Sequence, residues 1–302
     1  MRVSPRRLHR LTRALALLAA LSAIALVALF RAAAAPVPRL PPPPAIDPYR
    51  LFVDLRPITL TVTLDWIKMP VRATRAAVTS DPMLWRMMHF EDWDALPADL
   101  RREGLHRMLA RFGGVVDAPA RWPAMTASAW DEVPQPIRAL AFMNMIRRWS
   151  QEQQLGARFD HPAQVVADTL CAIAMAESWF EHRGEHFNTD GTRDLGLGGT
   201  SAYARGVLAG LAAQGAVPFH LSDRDYFNPF DSSWALTYWF GLMLQEAGGQ
   251  LELAIRAYHV GIGRALDGDG QDYLERVRRL RQTYMRGRSR SPAWRFLVAP
   301  PT

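Results

Sequence analysis

Apolar positions along the chain change their spacing several times, and each change marks an element. From Ala14 to Phe30, seventeen residues run without a charge. From about Tyr49 to Gly156 apolar residues recur at helical spacing, and helices are predicted over Pro82–His89, Pro97–Phe112 and Pro136–Gln154. The last carries Ile137, Leu140, Ala141, Met145, Ile146 and Trp149 on one stripe. A short β-prone run, Ile58–Leu64, interrupts this region. His161-Pro162 opens a helix whose interior is nearly all apolar (Val165, Val166, Leu170, Cys171, Ile173, Ala174, Met175, Ala176), and it ends in Glu177-Ser178-Trp179-Phe180. Asn188-Thr189-Asp190-Gly191-Thr192 then signals a tight hairpin, because Asp-Gly supplies a positive φ. Helices are predicted again over about 200–213, 232–247, 251–260 and 270–284. The pattern describes a mainly α protein with one small β-hairpin.

Composition and charge refine this picture. Of the 302 residues 49% are apolar and 22% charged, the balance of a globular chain. The formal net charge of +7 resembles a nucleic-acid signal, but Arg2, Arg6, Arg7, Arg10, Arg13 and Arg31 all lie in the first 35 residues, which hold no acid. Without those six the body carries about +1, too little for a basic footprint, so no nucleic-acid partner is expected. A basic start, the uncharged run and Arg31-Ala-Ala-Ala-Ala-Pro form a secretory signal, cleaved (Ala32 and Ala34 stand in A-x-A register) or retained as an inner-membrane anchor. The N-terminal positive charges place the rest of the chain outside the cytoplasm, as a periplasmic, membrane-tethered protein.

Residues 36–48 (PVPRLPPPPAIDP) read as a stiff polyproline spacer. The division that follows is a signal or anchor over 1–35, a linker over 36–48, a helical module over 49–160 and a basic tail over 286–302. A second arginine cluster comprises Arg276, Arg278, Arg279, Arg281, Arg286, Arg288, Arg290 and Arg295. It reads first as a solvated helix face and tail, and second as a contact for anionic lipid or wall polymer. Cys171 is the only cysteine, which excludes an intramolecular disulfide and suits a buried small hydrophobe. Many of the ten Trp, seven Tyr and thirteen Phe belong to the core, and the supply also suits a groove for flat amphipathic ligands.

The chemistry concentrates after residue 161. A carboxyl at the end of so apolar a helix is expected to be part-buried, and burial raises its pKa by disfavouring the charged form. That makes Glu177 a candidate general acid, against the plainer reading of a helix-end glutamate facing water. The hairpin folds its returning strand beside the helix end and brings Asp194 opposite Glu177. Two carboxylates flanking a bond are the usual equipment for glycoside cleavage.

Glu177-Ser178 followed by NTDGTRDLG at 188–196 resembles the active-site stretch of animal (c-type) lysozymes. It is equally similar to the specialised lytic transglycosylases, whose pattern is roughly E-S, then N-x-D-G-S-x-D-x-G-L-M-Q. The 17-residue offset from Glu177 to Asp194 matches the lysozyme spacing. A second block, Tyr226-Phe227-Asn228-Pro229, a helix, then Ala254-Ile255-Arg256-Ala257-Tyr258-His259-Val260-Gly261, resembles the later half of soluble lytic transglycosylase domains, with their A-x-x-A-Y-N-x-G. Two departures stand out. Gly198-Gly199 occupies the place of Met-Gln, and His259 the place of Asn.

The resemblance implies a lysozyme-like α domain over 161–285 that cleaves the bond between N-acetylmuramic acid and N-acetylglucosamine in peptidoglycan glycan strands. Glu177 is the acid and then the base, with a 1,6-anhydro product; with Asp194 as second carboxylate, a lysozyme-type hydrolase is the alternative. Ser178, Gly196, Leu197, Tyr258 and His259 are implied at the substrate, and Tyr203, Tyr226 and Trp239 are candidate stacking platforms. No metal and no cofactor is called for. His182-Arg183-Gly184-Glu185-His186 fits the H-x-x-E-H of inverted zinc peptidases, but that chemistry needs both histidines on one helix face, and Gly184 with the nearby hairpin signal leaves little helix. A degenerate, non-catalytic peptidoglycan binder is the other alternative, drawn from Gly198-Gly199.

Overall fold

The computed structural model describes residues 57–64, 67–89, 92–93 and 95–285. The predicted signal or anchor, the Pro-rich linker and the basic tail lie outside the described residues. The chain is mainly α with small two-stranded antiparallel sheets. Strands β1 (Pro57–Leu64) and β2 (Ile67–Thr74) pair from Pro57 opposite Thr74 to Leu64 opposite Ile67. The β-prone run supplied the first strand, while Pro70 in the second hid its strand character, since proline cannot donate to a ladder.

Helices α1 (Arg75–Ser80), α2 (Pro82–Met87), α3 (Ala98–Phe112), α4 (Ala127–Asp131), α5 (Gln135–Glu152) and α6 (Leu155–Arg158) complete the first half. The second half holds α7 (Ala163–Ser178), the hairpin β3 (Glu185–Phe187) and β4 (Arg193–Leu195), α8 (Ala202–Ala213), α9 (Pro229–Glu246), α10 (Leu251–Val260), α11 (Ile262–Leu266) and α12 (Gln271–Leu280), prolonged by a π turn over Arg281–Met285. Helix α9 starts three residues before the predicted 232 because Pro229 pre-sets the first turn and the Asn228 side chain accepts from the Phe230 N–H at 3.0 Å.

Helix α7 is the axis. Every residue from Val166 to Ala176 is buried, Asp168 and Thr169 among them, and the helix takes neighbours on each side: α5, α6, α9 and α12. The expected boundary at residue 160 falls inside this packing. Phe142 and Met145 of α5, Met175 of α7 and Phe240 of α9 belong to one continuous hydrophobic cluster that runs from Val78 to Met285. Cys171 sits in that cluster, and burial pushes its thiol up to about 12, as expected of an inert core residue. A smaller cluster of Leu195, Leu208, Val217, Tyr226 and Trp234 lies under the β3–β4 hairpin. Among the described residues no helix is long and apolar enough to cross a membrane.

Candidate active site

The catalytic candidate is positioned by the way α7 stops. Trp179 and Phe180 both adopt left-handed backbone, at φ 52° and 60°. Two consecutive bulky residues there cost roughly 1–2 kcal/mol each. Tertiary contacts hold the turn: Phe180 is fully buried, and Gln135 Nε2 donates to the Trp179 carbonyl at 2.6 Å. Such a stop leaves Glu177 on the last turn, facing a cleft of about 1100 Å³ instead of solvent beyond the helix end.

The opposite wall comes from the hairpin. Asn188 N–H bonds the Thr192 carbonyl at 2.9 Å, Gly191 takes φ 81°, and His186 pairs with Asp194 across the two strands. Asp194 Oδ1 accepts from Asn188 Nδ2 at 3.0 Å, so the turn's first residue orients the second carboxylate. Glu177 and Asp194 line the same cleft, as the spacing predicted.

After β4 the chain doubles back through Gly196-Leu197-Gly198-Gly199, and Leu195 and Thr200 bridge at its base. This loop corrects two expectations. Gly196 and Leu197 do not line the cleft: Leu197 is fully buried, and a Cβ on Gly196 would sit 2.2 Å from the Tyr226 carbonyl. Both serve as the floor behind the site. Ser178 belongs with them. Its buried hydroxyl lies 3.1 Å from the Ala174 carbonyl and 2.9 Å from that of Leu197, tying the helix end to the loop, although the residue also borders the cleft.

Gly199 is the residue of the loop that touches the acid. At φ 53°, a Cβ there would stand 2.6 Å from Glu177 Oε2. The carboxyl therefore lies in the space that a side chain at 199 would need. Gly198 is equally confined, 2.7 Å from the Tyr258 hydroxyl by the same measure. Tyr258, implied at the substrate, does border the cleft. Its hydroxyl donates to the Gly198 carbonyl at 2.6 Å.

Tyr273, which the sequence pattern did not single out, meets the acid: its hydroxyl donates to Glu177 Oε1. A lone tyrosine on the apolar stripe Tyr273, Leu274, Val277, Leu280 was the available signal, because a buried phenol needs a partner. His259 stacks on Tyr273 with ring centroids 4.3 Å apart and planes within 5°, bracing the phenol that holds the acid.

These surroundings push Glu177 up to about 7. Burial is the main cause and the charge of Asp194 adds to it; the Tyr273 hydrogen bond and the Arg276 guanidinium act against it. Burial, then Arg276, lowers His259 below its ordinary value, so it stands neutral at pH 7. Burial and the nearby carboxylates hold Tyr258 and Tyr273 well above the ordinary phenol value, which keeps both as donors.

Compared with family models, curated proteins and solved structures, the chain matches none of them. The geometry therefore stands by itself. Of the candidate platforms, Tyr203 is 75% exposed at the cleft with its ring edge-on to Trp239, whereas Tyr226 is buried in the cluster under the hairpin. Phe187, 68% exposed on β3, is an aromatic cleft residue the pattern missed. The H-x-x-E-H segment forms no helix. His182 is fully buried against Glu181 and Asp131, while His186 lies exposed on β3. Among the described residues no group of three or more His, Cys, Asp or Glu is placed to hold a metal ion.

Proposed function

We propose that this chain cleaves the β-1,4 bond between N-acetylmuramic acid and N-acetylglucosamine in peptidoglycan, as a lytic transglycosylase with Glu177 as its proton donor. The observation that carries the reading is the state of Glu177: raised to about 7 by burial, held by Tyr273 and open to a cleft large enough for several sugar rings. A carboxyl near pH 7 is half protonated there, so it can give a proton to a leaving glycosidic oxygen and take one back in the next step.

In this reading Glu177 protonates the glycosidic oxygen, and the bond from that oxygen to the anomeric carbon breaks. The anomeric carbon takes up positive charge, which Asp194 on the facing wall stabilises. Ionised Glu177 then removes the proton from the sugar's own 6-hydroxyl, whose oxygen closes the 1,6-anhydro ring. Exposed Phe187 and Tyr203 offer apolar faces for sugar rings. The basic and apolar N-terminal segment supports export, with the catalytic body on the periplasmic side and tethered to the inner membrane.

A second reading is favoured by one observation. Asp194 is oriented by Asn188 and faces the cleft as the second carboxylate of a hydrolase would. Water would then complete the reaction and leave reducing ends. The test of the shared step is Glu177→Gln, a near-isosteric change that removes the proton. Lysis of purified sacculi by the parent should fall by about 10³-fold in the variant, with the far-ultraviolet circular dichroism unchanged. Undiminished lysis would refute Glu177 as the acid. Mass spectrometry of the parent's digest separates the readings, since anhydro ends are one water lighter than reducing ends.

A further inference from the structure

The basic residues of the cleft are not equivalent. Of the two arginines that line it, Arg264 is engaged by Asp269 at 2.7 Å, and Arg193 on the hairpin, outside the lining, pairs with Glu185 at 2.7 Å and Asp223 at 3.2 Å. The arginines of the C-terminal cluster that fall among the described residues also separate: Arg278 pairs with Glu252, and Arg281 donates to Thr169 Oγ1 at 2.9 Å. Arg276 makes no hydrogen bond or ion pair among the described residues. It lies one turn beyond Tyr273 on α12, lines the cleft, and is near enough for its charge to act on both Glu177 and His259. Arg264 lines the same end. The α10–α12 side of the cleft thus carries the unpaired positive charge of Arg276, while Asp190 and Asp194 line the hairpin side. An exposed guanidinium held at a cleft wall without a counter-ion is set to take one from a ligand, and its planar fork fits a carboxylate in two parallel hydrogen bonds.

We propose that Arg276 binds a carboxylate carried by the muramoyl residue beside the scissile bond. This rests on the peptidoglycan reading above and makes the cleft selective for acid-bearing glycans over neutral ones. Two groups of one chemistry qualify: the free lactyl carboxylate of a strand stripped of its peptides, and the carboxylates of an attached stem peptide. Neutral N-acetylglucosamine polymers carry neither. The hairpin wall, being acidic, leaves the α12 side as the face toward which that substituent turns.

The test compares the parent with Arg276→Gln and Arg276→Lys on three soluble substrates: peptide-bearing glycan strands, strands stripped of peptide by an amidase, and stripped strands whose lactyl carboxylates have been converted to neutral amides. Arg276→Gln should raise KM about tenfold on at least one carboxylate-bearing substrate. The loss should lie mainly in KM and shrink as salt is raised. Arg276→Lys, which keeps the charge, should recover most of it, and on the amidated strands the KM values of parent and variants should converge. A penalty on stripped strands identifies the lactyl carboxylate; a penalty confined to peptide-bearing strands identifies the stem. Equal KM for parent and Arg276→Gln on every substrate, with the parent active, overturns this inference and leaves the catalytic reading standing. A parent that cleaves none of the three overturns both.

Discussion

Glu177 on the last turn of α7 and Glu181 in the loop just after it lie four residues apart, and both are removed from most of their water. Burial pushes each carboxyl upward, yet they end far apart: Glu177 at about 7 and Glu181 at about 2. The difference lies in what meets them. Glu177 meets a neutral phenol and a glycine, with Arg276 too weakly engaged to offset desolvation and Asp194 adding to it. For Glu181 the desolvation is outweighed by the hydrogen bond from His182 and the charge of Arg138, whose Nη2 stands 3.1 Å away. The first carboxyl keeps a proton to spend, and the second is an ion pair that fastens the loop after α7 to α5. Removing water prepares a carboxyl for acid catalysis only where no close cation takes the vacated place.

The comparison can be broken from either side. The largest structural effect should come from Arg138→Met, which leaves Glu181 buried without its main countercharge. A loss of about 3–5 kcal/mol in chemical denaturation is expected. A loss under 1 kcal/mol would mean that His182 alone holds Glu181 down. Gly199→Ala attacks the other carboxyl, because the new methyl would meet Glu177 Oε2 and the backbone is left-handed there. Misplacing the acid by an ångström should lower kcat by about 100-fold, at a stability cost of about 1–2 kcal/mol. Wild-type kcat in that variant would show that Glu177 has room the structure denies it.

Tyr273→Phe removes the hydrogen bond that lowers Glu177. The carboxyl should therefore rise above 7, the alkaline limb of the rate profile should move to higher pH, and kcat should fall about tenfold as the acid loses its anchor. An alkaline limb that stays in place would separate Tyr273 from the proton. The smallest effect is on stability. Glu177 is a carboxyl with a raised folded pKa, so the stability it contributes is full below its ordinary 4.5 and is lost as pH rises through about 7. Glu177→Gln should match the parent near pH 4 and exceed it by about 1–2 kcal/mol at pH 8, after allowance for partial exposure. Equal stability at both values would mean that burial does not charge the fold for ionising this group.

How far the chain could be read in advance follows the same division between local and distant causes. Helix α7 and the β3–β4 hairpin were legible because their signals are local: an unbroken apolar run, then Asp-Gly at a turn. Glu177 and Asp194 followed from those two elements meeting. Tyr273 did not, because its partner lies 96 residues away and its own helix shows only an ordinary amphipathic stripe. Gly199 looked like a lost side chain, since nothing in the sequence says that a carboxylate fills the space. The boundary expected at 160 was drawn from motif coverage, whereas α5 and α7 share one core that no local pattern displays.

The most direct measurement is a carbon-13 titration of the glutamate side-chain carboxyls in the intact chain, with Glu177→Gln and Glu181→Gln used for assignment. The account predicts one resonance titrating near 7 that disappears in Glu177→Gln, and a second near 2 that disappears in Glu181→Gln. A Glu177 midpoint at the ordinary 4.5 would contradict it, because the group would then be ionised at neutral pH with no proton to give.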